Sequence, residues 1–128
     1  MSVTIYVSND TSARAAGADR LAAAWAEVSD VHIVRTSSRG AFFLEPLAER
    51  DGPHGRLLWP RANRDDLTRI RHGAGGITLA DVPFLAQQTR AVFARFGTAQ
   101  PLLLEEYRAN GGWRGWGRPD GLPSQAVI

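Results

Sequence analysis

Hydrophobic residues at the start of the chain alternate with polar ones: Val3, Ile5 and Val7 are separated by Thr4 and Tyr6 and flanked by Ser2 and Ser8. A period of two is what a strand with one buried face needs, so the pattern predicts a strand here. From Ala18 the period lengthens. Ala18, Leu21, Ala22, Trp25 and Val28 recur at helical spacing, with Asp10 upstream as an N-cap, which predicts one amphipathic helix from Asp10 to about residue 28. After the Ser29-Asp30 turn, Val31, Ile33 and Val34 supply a second strand. A helix between two strands is the connection that parallel pairing requires, so residues 2–36 read as a βαβ unit.

A polar loop follows, in the stretch "RTSSRGAFFLEP" from Arg35 to Pro46. Ala41 to Glu49 is a third, largely apolar run and Arg56 to Trp59 a fourth, joined by Asp51-Gly52-Pro53-His54-Gly55, which predicts a β-hairpin. Pro46 and Pro60 lack a ladder donor and belong at an edge or a bulge. Asn63 begins a short helix with Asp65 and Asp66 in its first turn and Arg69, Arg71 and His72 in its last, closed by Gly73; these charges complement the helix dipole at both ends. The order β-α-β-β-β-α over residues 1–75 is that of a thioredoxin-like α/β (α+β) domain. Residues 76–128 read as a helical lead-in and linker. Within them "GAGGITLAD" is a connector, and Phe84, Leu85, Val92, Phe93 and Phe96 give an apolar side to a helix from Asp81-Pro83 to Gly97. A second helix is expected from Pro101 to about Asn110, and an irregular Gly- and Pro-rich tail follows.

Composition narrows the chemistry. At 128 residues and 44% hydrophobic, the chain is long enough to bury its own core. It has no cysteine, which excludes disulfides, Cys-ligated zinc, thiolate-held iron-sulfur clusters and thiol redox catalysis. All 15 basic side chains are Arg, and 13 carboxylates leave a net charge of only +2, so the sequence pI of about 9.9 reflects how hard Arg is to deprotonate rather than a nucleic-acid-binding surface. No apolar run reaches the roughly 18 residues of a membrane span and no signal-peptide pattern opens the chain, which points to a cytoplasmic protein.

Candidate chemical groups reduce to structural ones. His32, His54 and His72 lack the i, i+4 spacing of a helical metal pair. The glycines of "GAGG" follow a helix instead of opening one, unlike a dinucleotide-binding loop. Ser37 and Ser38 have no recognisable His or acidic partner and read as turn residues. Asp65 and Asp66 point in different directions on a helix and suit its N-terminus better than a catalytic pair. Between Gly111 and Arg118, Arg114 and Arg118 lie among tryptophans, too few for a nucleic-acid segment; Trp113 and Trp116 fit packing against a neighbouring domain.

Five stretches, "SVTIYVSNDTSARAAGADRLAAAWA", "VHIVRTSSRGAFFLEPLAE", "GRLLW", "PFLAQQTRAVFARFG" and "PLLLEEYRANGGW", occur in an order that resembles the N-terminal part of a known family. That family is the beta (diaphorase, NADH dehydrogenase-like flavoprotein) subunit of NAD-dependent, molybdenum- or tungsten-containing formate dehydrogenases. The resemblance spans residues 1–116, and the later segments are also similar to flavoprotein subunits of respiratory complex I and bidirectional hydrogenases. Related thioredoxin-like ferredoxins hold a two-iron, two-sulfur cluster with Cys in the loop after the second strand. Here that loop carries Ser and Arg, so the resemblance implies a ferredoxin shell without its cluster. The family's FMN, NAD, iron-sulfur and molybdenum or tungsten cofactors lie outside these residues, and Gln125-Ala126-Val127-Ile128 resembles the start of the flavin module. The implied role is a non-catalytic docking domain with no cofactor of its own, touching other subunits of the formate dehydrogenase complex and not nucleic acid, membrane or a small substrate. Arg35, Ser37, Ser38, Arg39, Phe93, Tyr107, Trp113 and Trp116 are the expected interface. The alternatives are the same domain in an NAD-linked hydrogenase diaphorase or a stand-alone thioredoxin-like binding protein.

Overall fold

In a computed structural model, residues 2–100 and 102–114 are described. The first strand, β1 (Val3–Ser8), pairs in parallel with β2 (Val31–Thr36), Val3 opposite Val31 and Ser8 opposite Thr36. On its other side β1 pairs antiparallel with β3 (Ala48–Gly52), which forms a hairpin with β4 (Gly55–Trp59) through a turn at Pro53-His54. The result is a four-stranded mixed sheet in the order β2-β1-β3-β4.

Strand alternation sorts the side chains onto two faces. Ile5, Val7, Ala48 and Trp59 pack on Leu21, Ala22 and Trp25 of α2 (Ala18–Ala26) and Ile70 of α3 (Leu67–His72). Trp25 and Trp59 are both buried, yet neither indole N–H is stranded, for Trp25 donates to the Arg64 carbonyl at 3.2 Å and Trp59 to the Ala74 carbonyl at 3.0 Å. The opposite face holds a smaller cluster of Ala41, Leu44, Leu47, Leu58, Val82 and Leu85. Val82 and Leu85 come from the chain beyond Gly76, which is stitched to β4 by a bridge in which Leu58 and Ile77 exchange both backbone hydrogen bonds, at 2.8 and 3.0 Å.

Several elements differ from their sequence expectation. The helix expected from Asp10 to residue 28 is two: α1 (Thr11–Ala15), capped by the Asp10 carboxylate accepting from the Ala13 N–H at 2.9 Å, and α2, separated by Gly17 at φ 102°. That left-handed conformation suits Gly and interrupts the helical ladder. In the third apolar run, Phe42–Leu44 forms a 3-10 turn in place of a strand, and β3 starts only at Ala48; the Glu45-Pro46 bond between them is cis. The long helix expected up to Gly97 stops after one turn, α4 (Pro83–Ala86). Beyond it Arg90 reaches the Arg39 carbonyl at 2.6 Å, and Phe93 to Ala99 fold into successive turns. The last helix among the described residues, α5, spans Leu104–Ala109.

Candidate docking site at the loop after β2

The loop after β2 is organised by a buried ion pair. Arg39 donates through Nε and Nη2 to the two carboxylate oxygens of Glu49 on β3, at 2.7 and 2.6 Å. The residues are only 7% and 4% exposed. A bidentate guanidinium-carboxylate fork is the geometry that best offsets the cost of burying both charges. Glu49 also lies 3.8 Å from Arg56, whose Nε pairs with Asp51 at 3.0 Å and whose guanidinium stacks 3.6 Å over the Tyr6 ring. The Tyr6 hydroxyl in turn donates to Asp51 at 2.8 Å. Burial and this hydrogen bond raise the Tyr6 pKa. The face of the sheet under the loop is therefore polar and ion-paired, although the buried Arg56 Nη1 has no hydrogen-bond partner among the described residues.

Beside it lies Glu45, buried and, among the described residues, without a cation partner. Its Oε2 accepts from the Leu47 N–H at 2.8 Å, but burial, with the charges of Asp10 and Glu49, pushes its carboxyl up to about 7. Asp10 goes the other way. Burial pushes it up, yet hydrogen bonds from the Ser38 hydroxyl, the Ala13 N–H and Ser12 outweigh that and hold it below its ordinary value.

The expected interface residues fall into three groups. Arg35 and Ser38 turn inward: Arg35 donates to the carbonyls of Val7 and Ser8 and pairs with Asp19 at 2.7 Å, and Ser38 is held by Asp10. Ser37 and Tyr107 line one groove of about 200 Å³ with Arg95 and Phe96. Ser37 is fixed there, accepting from the Gly97 N–H at 3.1 Å. Arg39 and Phe93 line a second groove of about 210 Å³ with Phe84, Arg90 and Phe96, the Arg39 head buried in its floor. Trp113 packs edge-on against Tyr107, ring centres 5.4 Å apart. Trp116 lies outside the described residues.

The rim of the second groove is aromatic and open to solvent. Phe93 is 55% and Phe84 47% exposed; Phe93 and Phe96 have ring centres 4.6 Å apart, and Phe43 meets Phe84 edge to face at 5.7 Å. Phe42, in the same turn as Phe43, is exposed as well. Sequence reasoning placed Phe84 on the apolar side of a helix and did not single out Phe42, Phe43, Arg90 or Glu49. The adjacent pair Phe42-Phe43 carried a usable signal, since neighbours in a strand cannot both face one core.

At the far end of the sheet, a cleft of about 490 Å³ brings His54 and His72 near Arg50. Arg50 is spent on the carbonyls of Ile70 and Arg71, where it caps α3, and both histidines are exposed. Among the described residues, no group of three or more His, Cys, Asp or Glu could hold a metal ion, and no helix is long and apolar enough to cross a membrane. No protein-family model and no curated protein matches this chain.

Proposed function

We propose that the chain is a non-catalytic docking domain of thioredoxin-like topology, equivalent to the cluster-free N-terminal domain of the NAD-reducing flavoprotein subunit of an NAD-dependent formate dehydrogenase. Its task is to hold the flavoprotein against another subunit of a cytoplasmic complex that oxidises formate to CO2 and reduces NAD. The FMN, NAD, iron-sulfur and molybdenum or tungsten chemistry belongs to other parts of that complex. The strand order β2-β1-β3-β4, parallel at β1/β2 and antiparallel through the hairpin, supports the topology.

The observation that carries the docking role is the exposed aromatic rim around Arg39, formed by Phe43, Phe84, Phe93 and Phe96, with Phe42 exposed in the turn that carries Phe43. Clustered exposed rings of this kind mark surfaces that a partner covers. The test is reconstitution of the purified chain with the separately purified formate dehydrogenase subunits, read by size exclusion. Co-elution with one subunit, lost on Phe93→Asp, is the expected result. No co-elution with any subunit overturns the reading.

A further inference from the structure

Arg90 is placed differently from the other arginines of the rim. It is half-buried beside Arg39, and its Nη2 and Nε are satisfied by the Arg39 carbonyl at 2.6 Å and the Gln88 side chain at 2.9 Å, both neutral acceptors. Burial and the neighbouring Arg39 charge both lower its pKa, so the environment works against the cation. Glu49, which pairs with the adjacent Arg39, is already bound through both carboxylate oxygens. Two further cations lie next to aromatic residues of this surface: Arg61 donates to the Phe43 carbonyl, and Arg95, in the neighbouring groove that shares Phe96, leans over Tyr107. Among the described residues none of the three has a carboxylate partner.

We infer that the groove between Phe84, Phe93 and Phe96 receives a protein segment of acidic and apolar character, one apolar side chain entering the groove while an Asp or Glu carboxylate meets Arg90. The inference rests on the docking role proposed above and specifies its partner. The groove itself, of about 210 Å³, is the size of one large side chain. Charge complementarity selects the flanking residues: an acidic segment supplies the missing counter-ion to a partly desolvated guanidinium, whereas a basic segment adds a fourth positive charge. A second copy of this chain is the weaker fit, because it presents the same three unpaired arginines at the symmetric contact.

Short fluorescent peptides test this with the full chain: one combining Glu with Phe and Leu, one with Arg in place of Glu, and one with Ala in place of Phe and Leu. The acidic apolar peptide is expected to bind, to weaken as salt rises, and to perturb backbone NMR signals of Phe84 to Phe96; the other two are expected to bind about tenfold more weakly or not at all. Arg90→Glu is expected to abolish the preference. Because Arg90 also ties its segment to Arg39, the exposed Arg95 of the neighbouring groove, which shares Phe96, serves as a second variant, Arg95→Glu, expected to lower affinity several-fold with an unchanged circular dichroism spectrum. Equal binding of acidic and basic peptides, indifference to both variants, or concentration-dependent dimerisation that masks the groove overturns the inference. Reconstitution that succeeds with Arg90→Glu and Arg95→Glu overturns it while the docking role stands; acidic-peptide binding without any reconstitution does the reverse.

Discussion

A carboxyl buried without a cation ionises late, and Glu45 is such a group, its pKa raised from 4.5 to about 7 by burial first and by Asp10 and Glu49 after it. The folded state therefore holds a proton that the unfolded chain releases in that interval. Stability from this group is full below about pH 4.5 and is lost as pH rises through 7, a fall of about 1–3 kcal/mol once solvent screening is allowed for. Glu45→Gln keeps an acceptor for the Leu47 N–H and removes the titration. Urea unfolding at pH 5 and pH 8 is expected to find the variant more stable than the native chain at pH 8 and to find the pH slope gone; a slope that persists places it elsewhere. Arg39 presents the opposite case, a paired charge. Arg39→Ala leaves Glu49 buried beside Arg56 alone and is expected to cost about 3–5 kcal/mol, while Arg39→Met with Glu49→Leu costs far less, because removing both charges leaves neither uncompensated. Chemical denaturation of the single and double variants measures the difference.

At the scale of elements, β1, β2, β4, the presence of a hairpin and the Asn63 helix were legible because their signals are local, whereas the run expected as a strand from Ala41 is a 3-10 turn first and a strand only from Ala48. The period of two in Val3, Ile5 and Val7 needs no distant partner, and Asn63 forms a capping box with Asp66 three residues away, closed at Gly73 with φ 73°. Asp10→Ala is accordingly expected to cost about 1 kcal/mol by removing the α1 cap, read from the denaturation midpoint. What was not legible depends on contacts distant in sequence. Beyond Gln87 the chain leaves the helix and Arg90 binds the Arg39 carbonyl, a contact of which a helical pattern over Phe84 to Phe96 carries no trace. Likewise, the inward turn of Arg39 depends on the β1/β3 register that sets Tyr6 opposite Glu49. Glycine has a similar long-range role at two points. A Cβ on Gly97 would lie 2.7 Å from Arg39 Cγ, and one on Gly76 would lie 2.7 Å from the Trp59 ring. Gly76→Ala should therefore push the connector off β4, exposing Trp59 and shifting its fluorescence to the red, with a loss of about 1–3 kcal/mol.

Over the whole molecule, the buried residues divide into a larger cluster between the sheet and α2 and α3 and a smaller one under the segment beyond Gly76. Phe84 and Phe93 belong to neither, and this separates a surface that stabilises the fold from one that binds. If the aromatic rim were an exposed part of the core, replacing its rings would lower stability along with binding. If it is an interface, the two separate, because half-exposed rings contribute little to the unbound chain while contributing most of the apolar area at the contact. The double variant Phe84→Ser with Phe93→Ser is thus expected to shift the free energy of unfolding by less than about 1 kcal/mol, to weaken reconstitution at least tenfold, and to reduce binding of a hydrophobic dye to the isolated chain. Denaturant unfolding, size exclusion and dye fluorescence on one preparation read all three. A stability loss as large as that expected for Arg39→Ala assigns the rings to the core and removes the groove from consideration as a docking site. Unchanged reconstitution would move the contact to another exposed apolar group, Leu102 to Leu104 with Tyr107 and Trp113.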